Sequence, residues 1–120
     1  MVNIKHITMT ETLQQLHTVR NGEGTTAWDR FPEGASGLKR GLQLYLERGI
    51  ETGSGLGAVL EGDLWKAGNT LDSNNWKHLR ELMGWIYNNP PAICYGSKEK
   101  VAKWISHRGA EGYEYEYTTE

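Results

Sequence analysis

The spacing of apolar residues predicts a chain of amphipathic helices. Apolar positions recur every three or four residues, which places them on one face of a helix. Five segments follow this pattern, so the sequence predicts an all-α fold of about five helices in one domain spanning residues 1–120. Their apolar positions are Leu13, Leu16 and Val19; Leu38, Leu42, Tyr45 and Leu46; Leu56, Val59, Leu60, Leu64 and Ala67; Trp76, Leu79, Met83, Ile86 and Tyr87; and Val101, Trp104 and Ile105.

Capping and breaking residues predict where these helices begin and end. Thr8 and Glu11 have the spacing of a capping box, and Gly residues follow most of the apolar faces, as is common where helices terminate. Pro90-Pro91 ends the fourth helix because proline cannot donate an intrahelical hydrogen bond. The predicted helices run from Thr8 to Asn21-Gly22, from Ser36 to Gly49, from Thr52 or Ser54 to Gly68, from Asn74 to about Asn88, and from Ser97 to Gly109.

Two segments do not follow the helical pattern. Residues 22–37 are rich in glycine and predict a loop, and the aromatic residues Trp28 and Phe31 indicate that this loop is attached to the body of the protein. Residues 111–120 alternate tyrosine with glutamate. We expect residues 111–120 to form either a mobile acidic tail or a short strand that pairs with residues 2–7. The predicted domain therefore has a loop-rich amino-terminal third and a polar carboxyl end.

Composition excludes several classes of protein. The chain has 120 residues, a formal charge of −2 and one cysteine. A slightly acidic protein is not expected to coat nucleic acid, and one cysteine cannot form an internal disulfide or a cysteine-rich zinc site. No apolar run approaches the roughly 20 residues of a membrane helix, and no secretory leader is predicted at Met1–Val19.

The reactive side chains favour a protein that is not an enzyme. No two histidines share the spacing of a metal site on one helix, so no metal site and no cofactor is predicted. Cys94 precedes a helix, where its pKa could fall, but the sequence offers no general base for it. Ser54 lacks the strand and the G-x-S-x-G pattern of a nucleophile elbow.

Two predicted helix starts could bind an anion. Helix amino termini present free N–H groups and a partial positive charge. The candidate ligand-binding residues are Gly53, Ser54 and Gly55 at one start, Tyr95, Gly96, Ser97 and Lys98 at the other, Arg48 as an added cation, and Trp28 or Tyr95 as a stacking surface for a base. Ordinary capping of the two helices is the alternative interpretation.

Five tryptophans are more than one small helical core is expected to bury. Trp65 and Trp85 fall outside the main apolar faces of their helices. We therefore expect them at an interface, in a homo-oligomer of at least two chains. The alternative is that the loop of residues 22–37 covers the surplus aromatic rings.

A set of short motifs resembles a recurrent family. These motifs are Tyr45-Leu46-Glu47-Arg48-Gly49-Ile50, Gly53-Ser54, Ala58-Val59-Leu60 with Asp63-Leu64, Ile86-Tyr87-Asn88-Asn89-Pro90-Pro91, Tyr95-Gly96-Ser97, and Val101-Ala102-Lys103-Trp104. Over about residues 38–106 the chain resembles small uncharacterised accessory proteins of tailed bacteriophages. It departs from them at Gly55, where the family usually has phenylalanine, and at Tyr95, where tryptophan is common.

The resemblance implies a biological setting rather than a reaction. It implies a phage protein made in the cytoplasm of the bacterial host, and by analogy an antagonist of bacterial defence that sequesters a small cyclic nucleotide. The alternatives are an inhibitor that binds a host protein through an acidic or aromatic surface, and a small enzyme that acts on nucleotides.

Overall fold

The computed structural model describes residues 8–19 and 24–118, with side chains as far as Tyr113. Within these ranges the chain forms eight α-helices, four short 3₁₀ segments and no strand, which confirms the all-α prediction. The α-helices are α1 (Met9–Gln14), α2 (Lys39–Arg48), α3 (Ser54–Glu61), α4 (Leu64–Thr70), α5 (Ser73–Lys77), α6 (Leu79–Asn88), α7 (Lys98–Ser106) and α8 (Gly109–Thr118). The 3₁₀ segments are Gln15–His17, Trp28–Arg30, Glu33–Leu38 and Ala92–Cys94.

Two of the predicted helices are each divided in two. Gly62 adopts a left-handed conformation with φ of 73°, which ends α3. Asp63 then caps α4 by accepting a hydrogen bond of 2.9 Å from the backbone N–H of Lys66. His78, with φ of −105° and ψ of 17°, separates α5 from α6. The predicted third helix is therefore α3 and α4, and the predicted fourth is α5 and α6.

The two ends of the chain differ from the prediction. The first helix passes into 3₁₀ geometry after Gln14 and stops before the extended residue Thr18, well before Asn21-Gly22, which lies outside the described residues. Residues 109–118 form α8 rather than a strand or an unstructured tail. The strand partner predicted at residues 2–7 also lies outside the described residues.

The loop before α2 is held by aromatic packing. Ser36 was expected to cap the second helix, but it lies within the 3₁₀ segment that precedes α2. The rings of Trp28 and Trp85 lie 4.5 Å apart between centroids, and Phe31 meets Trp85 edge-on at 5.1 Å. The indole N–H of Trp85 donates a hydrogen bond of 2.8 Å to the carbonyl of Ala27. These contacts attach the loop to α6.

The backbones of two glycines meet between α2 and α8. Gly49 and Gly109 both have positive φ, 65° and 67°. A Cβ atom added to Gly49 would overlap the backbone N of Gly109, and one added to Gly109 would overlap the backbone N of Gly49. Only glycine meets both requirements, a left-handed conformation and a backbone neighbour at this distance. The contact places the start of α8 at the end of α2.

We predict that Gly49→Ala lowers the free energy of unfolding by at least about 2 kcal/mol, because the strain of a left-handed alanine adds to the overlap with Gly109. Gly84→Ala is the matched control. Gly84 lies inside α6 with no atom within 4 Å of an added Cβ, so the same change should raise stability by about 0.5–1 kcal/mol. Urea denaturation of the two variants measures both values, and equal effects would contradict the role given to the glycine contact.

Candidate functional site

The first predicted anion site opens on a cleft. Gly53 is the N-cap of α3 and has no side chain with which to accept the first N–H groups of the helix. Gly53 and Gly55 line a cavity of about 310 Å³ together with Thr52, Thr70, Asp72 and residues at the start of α2. We call this cavity the α3 cleft. The first N–H groups of α3 find no acceptor in the side chain of their N-cap residue.

The charge of the α3 cleft does not favour an anion. Neither lysine nor arginine lines it, whereas the Asp72 carboxylate does. Arg48 is exposed in the last turn of α2 and is not among the lining residues. Helix α2 reaches the cleft through Gly41, seven residues before Arg48, which is about 10 Å along the helix axis. The position of Arg48 suits the carboxyl end of the α2 dipole.

The second predicted anion site is occupied by the protein itself. The hydroxyl of Ser97 accepts a hydrogen bond of 3.1 Å from the N–H of Lys100, so this helix start is capped as predicted. The N–H of Gly96 donates to the carbonyl of Leu60 at 2.7 Å. Gly96 therefore lies at the carboxyl end of α3, while Gly53 lies at its amino end. The two predicted sites are separated by the length of an eight-residue helix, about 12 Å, and do not form one site.

The aromatic residues divide differently from the prediction. Trp28 is only 4% exposed and Trp85 only 6%, since each ring packs on the other. Burial of both rings argues against the predicted stacking of Trp28 on a ligand and against the predicted place of Trp85 at an interface. Tyr95 is half-buried, and its hydroxyl donates a hydrogen bond of 3.3 Å to the carbonyl of Tyr87. Burial raises the pKa of the Tyr95 hydroxyl. Trp65, in contrast, is 84% exposed.

The exposed apolar side chains concentrate on one side of the molecule. Among the described residues eight large apolar side chains are exposed, and five of them lie on α4, α5 and α6: Leu64, Trp65, Trp76, Met83 and Tyr87. We call these five residues the α4–α6 face. Such a concentration is typical of surfaces that bind another macromolecule.

Local contacts connect parts of the α4–α6 face. Leu64 and Met83 line the same small pocket of about 60 Å³, with Leu79 and Ala67 in its wall. The Trp76 ring lies over Gly68, 3.7 Å from where a Cβ of that glycine would be. Tyr87 lies one turn beyond Met83 on α6. Of these residues sequence reasoning selected only Trp65 for an interface, because the others fit the apolar faces of two uninterrupted helices.

Unpaired cations border the α4–α6 face. Lys66, Lys77 and Arg80 each follow an apolar residue of this region, are exposed, and form no ion pair with any described residue. The carboxylates of Asp63 and Glu81 lie in the same region: Asp63 caps α4, and Glu81 lies 3.3 Å from the Nδ1 atom of His78. A hydrogen-bonded carboxylate stays charged, so the surroundings of the face carry both signs of charge.

Cys94 and the possible metal ligands are the side chains that could take part in a reaction. Cys94 is completely buried, and burial raises the pKa of its thiol. In the part of the chain that the structure describes, no three His, Cys, Asp or Glu side chains come together as metal ligands. Nor is any helix there long and apolar enough to cross a membrane. Burial therefore argues against thiol chemistry at Cys94 in the native protein.

Comparison with protein-family models, with curated proteins and with solved structures finds no match to this chain.

We predict that iodoacetamide alkylates Cys94 in the native protein slower than in the unfolded protein by on the order of a thousandfold. The thiol is buried and protonated, so alkylation must wait for the chain to open. Mass spectrometry of a Ser36→Cys variant provides an internal control, because position 36 is exposed and should label rapidly. Labelling of Cys94 at the rate of position 36 would contradict its burial and restore it as a candidate nucleophile.

Proposed function

We propose that this chain is a non-enzymatic binding protein that docks a partner protein on the α4–α6 face. The observation that carries the proposal is the concentration of exposed apolar side chains there, with Trp65 and Tyr87 exposed by 84% and 76%. Leaving such rings in water is unfavourable by about 25 cal/mol per Å² of apolar surface. Tryptophan and tyrosine are also the residues that most often dominate protein interfaces.

The charge around the face indicates what kind of partner it takes. In a symmetric dimer through this face the same patch would meet itself. Lys66, Lys77 and Arg80 form no ion pair with any described residue, while Asp63 and Glu81 already hydrogen-bond within the chain. An apolar partner surface with carboxylates at its border would pair with these cations. We therefore commit to a partner protein with such a border rather than to a second copy of this chain.

The biological role follows from the resemblance to phage accessory proteins. In that setting the partner is a protein of the bacterial host, met in its cytoplasm, and binding blunts a defence function of that partner. This is the host-protein alternative raised by the sequence, and the aromatic surface supports it. It needs no catalytic residue and no cofactor.

We predict that the double change Trp65→Ser with Met83→Ser weakens partner binding by about thirtyfold or more, because a buried tryptophan anchor contributes about 2 kcal/mol or more. Tagged wild-type protein is expressed in a bacterium, and the proteins that copurify are identified by mass spectrometry. The strongest partner is then purified and titrated by calorimetry at two salt concentrations. Binding should weaken as the salt concentration rises, since salt screens the attraction between Lys66, Lys77 and Arg80 and the carboxylates of the partner.

The matched control is Val19→Ser with Ile50→Ser, which removes two apolar side chains that are exposed elsewhere on the protein, by 53% and 46%. This variant should bind as wild type does. Equal loss of binding in both double variants would contradict docking on the α4–α6 face. A wild-type dimer detected by light scattering would also contradict the proposal if the Trp65 and Met83 changes dissociate it and the control changes do not. The face would then serve self-association.

Nucleotide capture is a second candidate, favoured by one observation. The amino terminus of α3 is uncapped and faces the cleft of about 310 Å³. That volume accommodates a small ligand, and free N–H groups can donate to a phosphate. Asp72 opposes this use of the cleft, because its carboxylate would repel the phosphate.

We predict that a cyclic di- or trinucleotide bound in the α3 cleft binds severalfold more tightly to Asp72→Asn than to wild type. Asparagine caps a helix as well as aspartate does, so α5 is preserved while the repelling charge is lost. Asp63→Asn, the equivalent change at the cap of α4, should leave affinity unchanged, and so should Arg48→Ala. Calorimetry that detects no binding to wild type or to Asp72→Asn would eliminate nucleotide capture at this cleft.

A further inference from the structure

A second polar cleft lies between α1, α2 and the start of α8. Its volume is about 370 Å³, and no sequence pattern predicts it. We call it the α1–α2–α8 cleft. It is lined by charged and amide side chains over an apolar floor, and it shares no lining residue with the α3 cleft or with the pocket of the α4–α6 face.

The charges of this cleft are separated along α2. Arg40 and Glu47 both line it and lie seven residues apart on α2, about 10 Å along the helix axis. His17 approaches Glu47 at 3.2 Å through its Nε2 atom and holds that carboxylate at the rim. Arg40 forms no ion pair with any described residue.

The start of α8 adds a second carboxylate at the same end as Glu47. The contact between Gly49 and Gly109 fixes the first residues of α8 against the carboxyl end of α2. Glu111, two residues after Gly109, lines the cleft and also forms no ion pair in the described part of the chain. The cleft therefore has a cationic end at Arg40 and an acidic end at Glu47 and Glu111.

Between these two ends the lining suits a peptide backbone. The side-chain amides of Gln14 and Gln43 line the cleft and make no hydrogen bond to other described residues. Each amide can donate and accept, as a peptide group can. Leu13 and Ala110 form an apolar floor and are 4% and 3% exposed, which suits small apolar side chains.

We propose that the α1–α2–α8 cleft binds a short zwitterionic peptide of about three residues. The terminal carboxylate binds Arg40, and the terminal ammonium binds Glu47 and Glu111. Three extended residues span about 10 Å, which matches the spacing of Arg40 and Glu47 along the axis of α2. The intervening peptide groups hydrogen-bond to Gln14 and Gln43. This site goes beyond docking on the α4–α6 face and does not depend on it.

Calorimetric titration with trialanine tests the proposal, with N-acetyl-trialanine and trialanine amide as matched probes that lack one charge each. Trialanine should bind the wild-type protein, and each blocked peptide should bind about tenfold more weakly or worse, since a charged hydrogen bond is lost. Arg40→Gln should abolish the preference for a free carboxylate but keep the preference for a free ammonium. Glu111→Gln should reduce only the preference for a free ammonium and should leave the preference for a free carboxylate unchanged.

Lys103→Gln is the control for Arg40→Gln, because Lys103 is an exposed cation on α7 outside this cleft. It should bind all three peptides as wild type does. Circular dichroism establishes that each variant keeps its helical content. Absence of trialanine binding to wild type at millimolar concentration would overturn the proposal, and so would an Arg40→Gln variant that still prefers the free carboxylate.

Discussion

The buried side chain of Tyr45 is the interaction on which the arrangement of the helices depends. Its hydroxyl donates a hydrogen bond of 2.6 Å to the carbonyl of Cys94, and its own carbonyl accepts a hydrogen bond of 2.9 Å from the indole N–H of Trp104. No part of Tyr45 is exposed, so a lost partner would leave a polar group unsatisfied at a cost of about 1–3 kcal/mol. Burial also raises the pKa of Tyr45, which keeps the phenol protonated as a donor. Helix α7 and the segment before it are thereby fixed against α2.

The breaks between helices decide which apolar residues reach the surface. In one continuous helix Leu64 would share the stripe of Leu60 and face the core. The left-handed turn at Gly62 redirects the chain, so that Leu60 is 1% exposed and Leu64 is 62% exposed. On α6 the buried residues are Leu82, Trp85 and Ile86. That side faces inward because Trp85 finds its partners in the loop, and Met83 and Tyr87 are left on the outer side.

Local signals in the sequence predicted the helices and several of their caps. Thr8 and Ser97 each accept the expected backbone hydrogen bond, at 3.0 and 3.1 Å. A cap depends on residues three positions apart, so the sequence contains the whole interaction. The burial of a given tryptophan depends instead on a loop that is distant in sequence. For the same reason the sequence revealed the α3 start but gave no sign of the α1–α2–α8 cleft, whose lining comes from three separated segments.

The end of the chain shows why periodicity alone was misleading. Alternation of tyrosine and glutamate matches a strand, but Tyr113 lies in α8, with its ring 5.9 Å from Trp104 and 6.1 Å from His107. The glycine contact between α2 and α8 places this segment against α7. These tertiary contacts outweigh the preference of the local pattern for a strand.

Net charge is likewise a poor guide to what this chain binds, because its charges are distributed among separate surfaces. The surroundings of the α4–α6 face and the α1–α2–α8 cleft hold both signs of charge, and the α3 cleft contains Asp72 without a lysine or arginine. A phosphate bound at the start of α3 would meet that carboxylate. A protein partner with carboxylates at its border would instead meet Lys66, Lys77 and Arg80 beside exposed aromatic rings. The local charges thus support the proposed protein partner over a nucleotide in the α3 cleft, although the glycine-rich helix starts suggested the reverse.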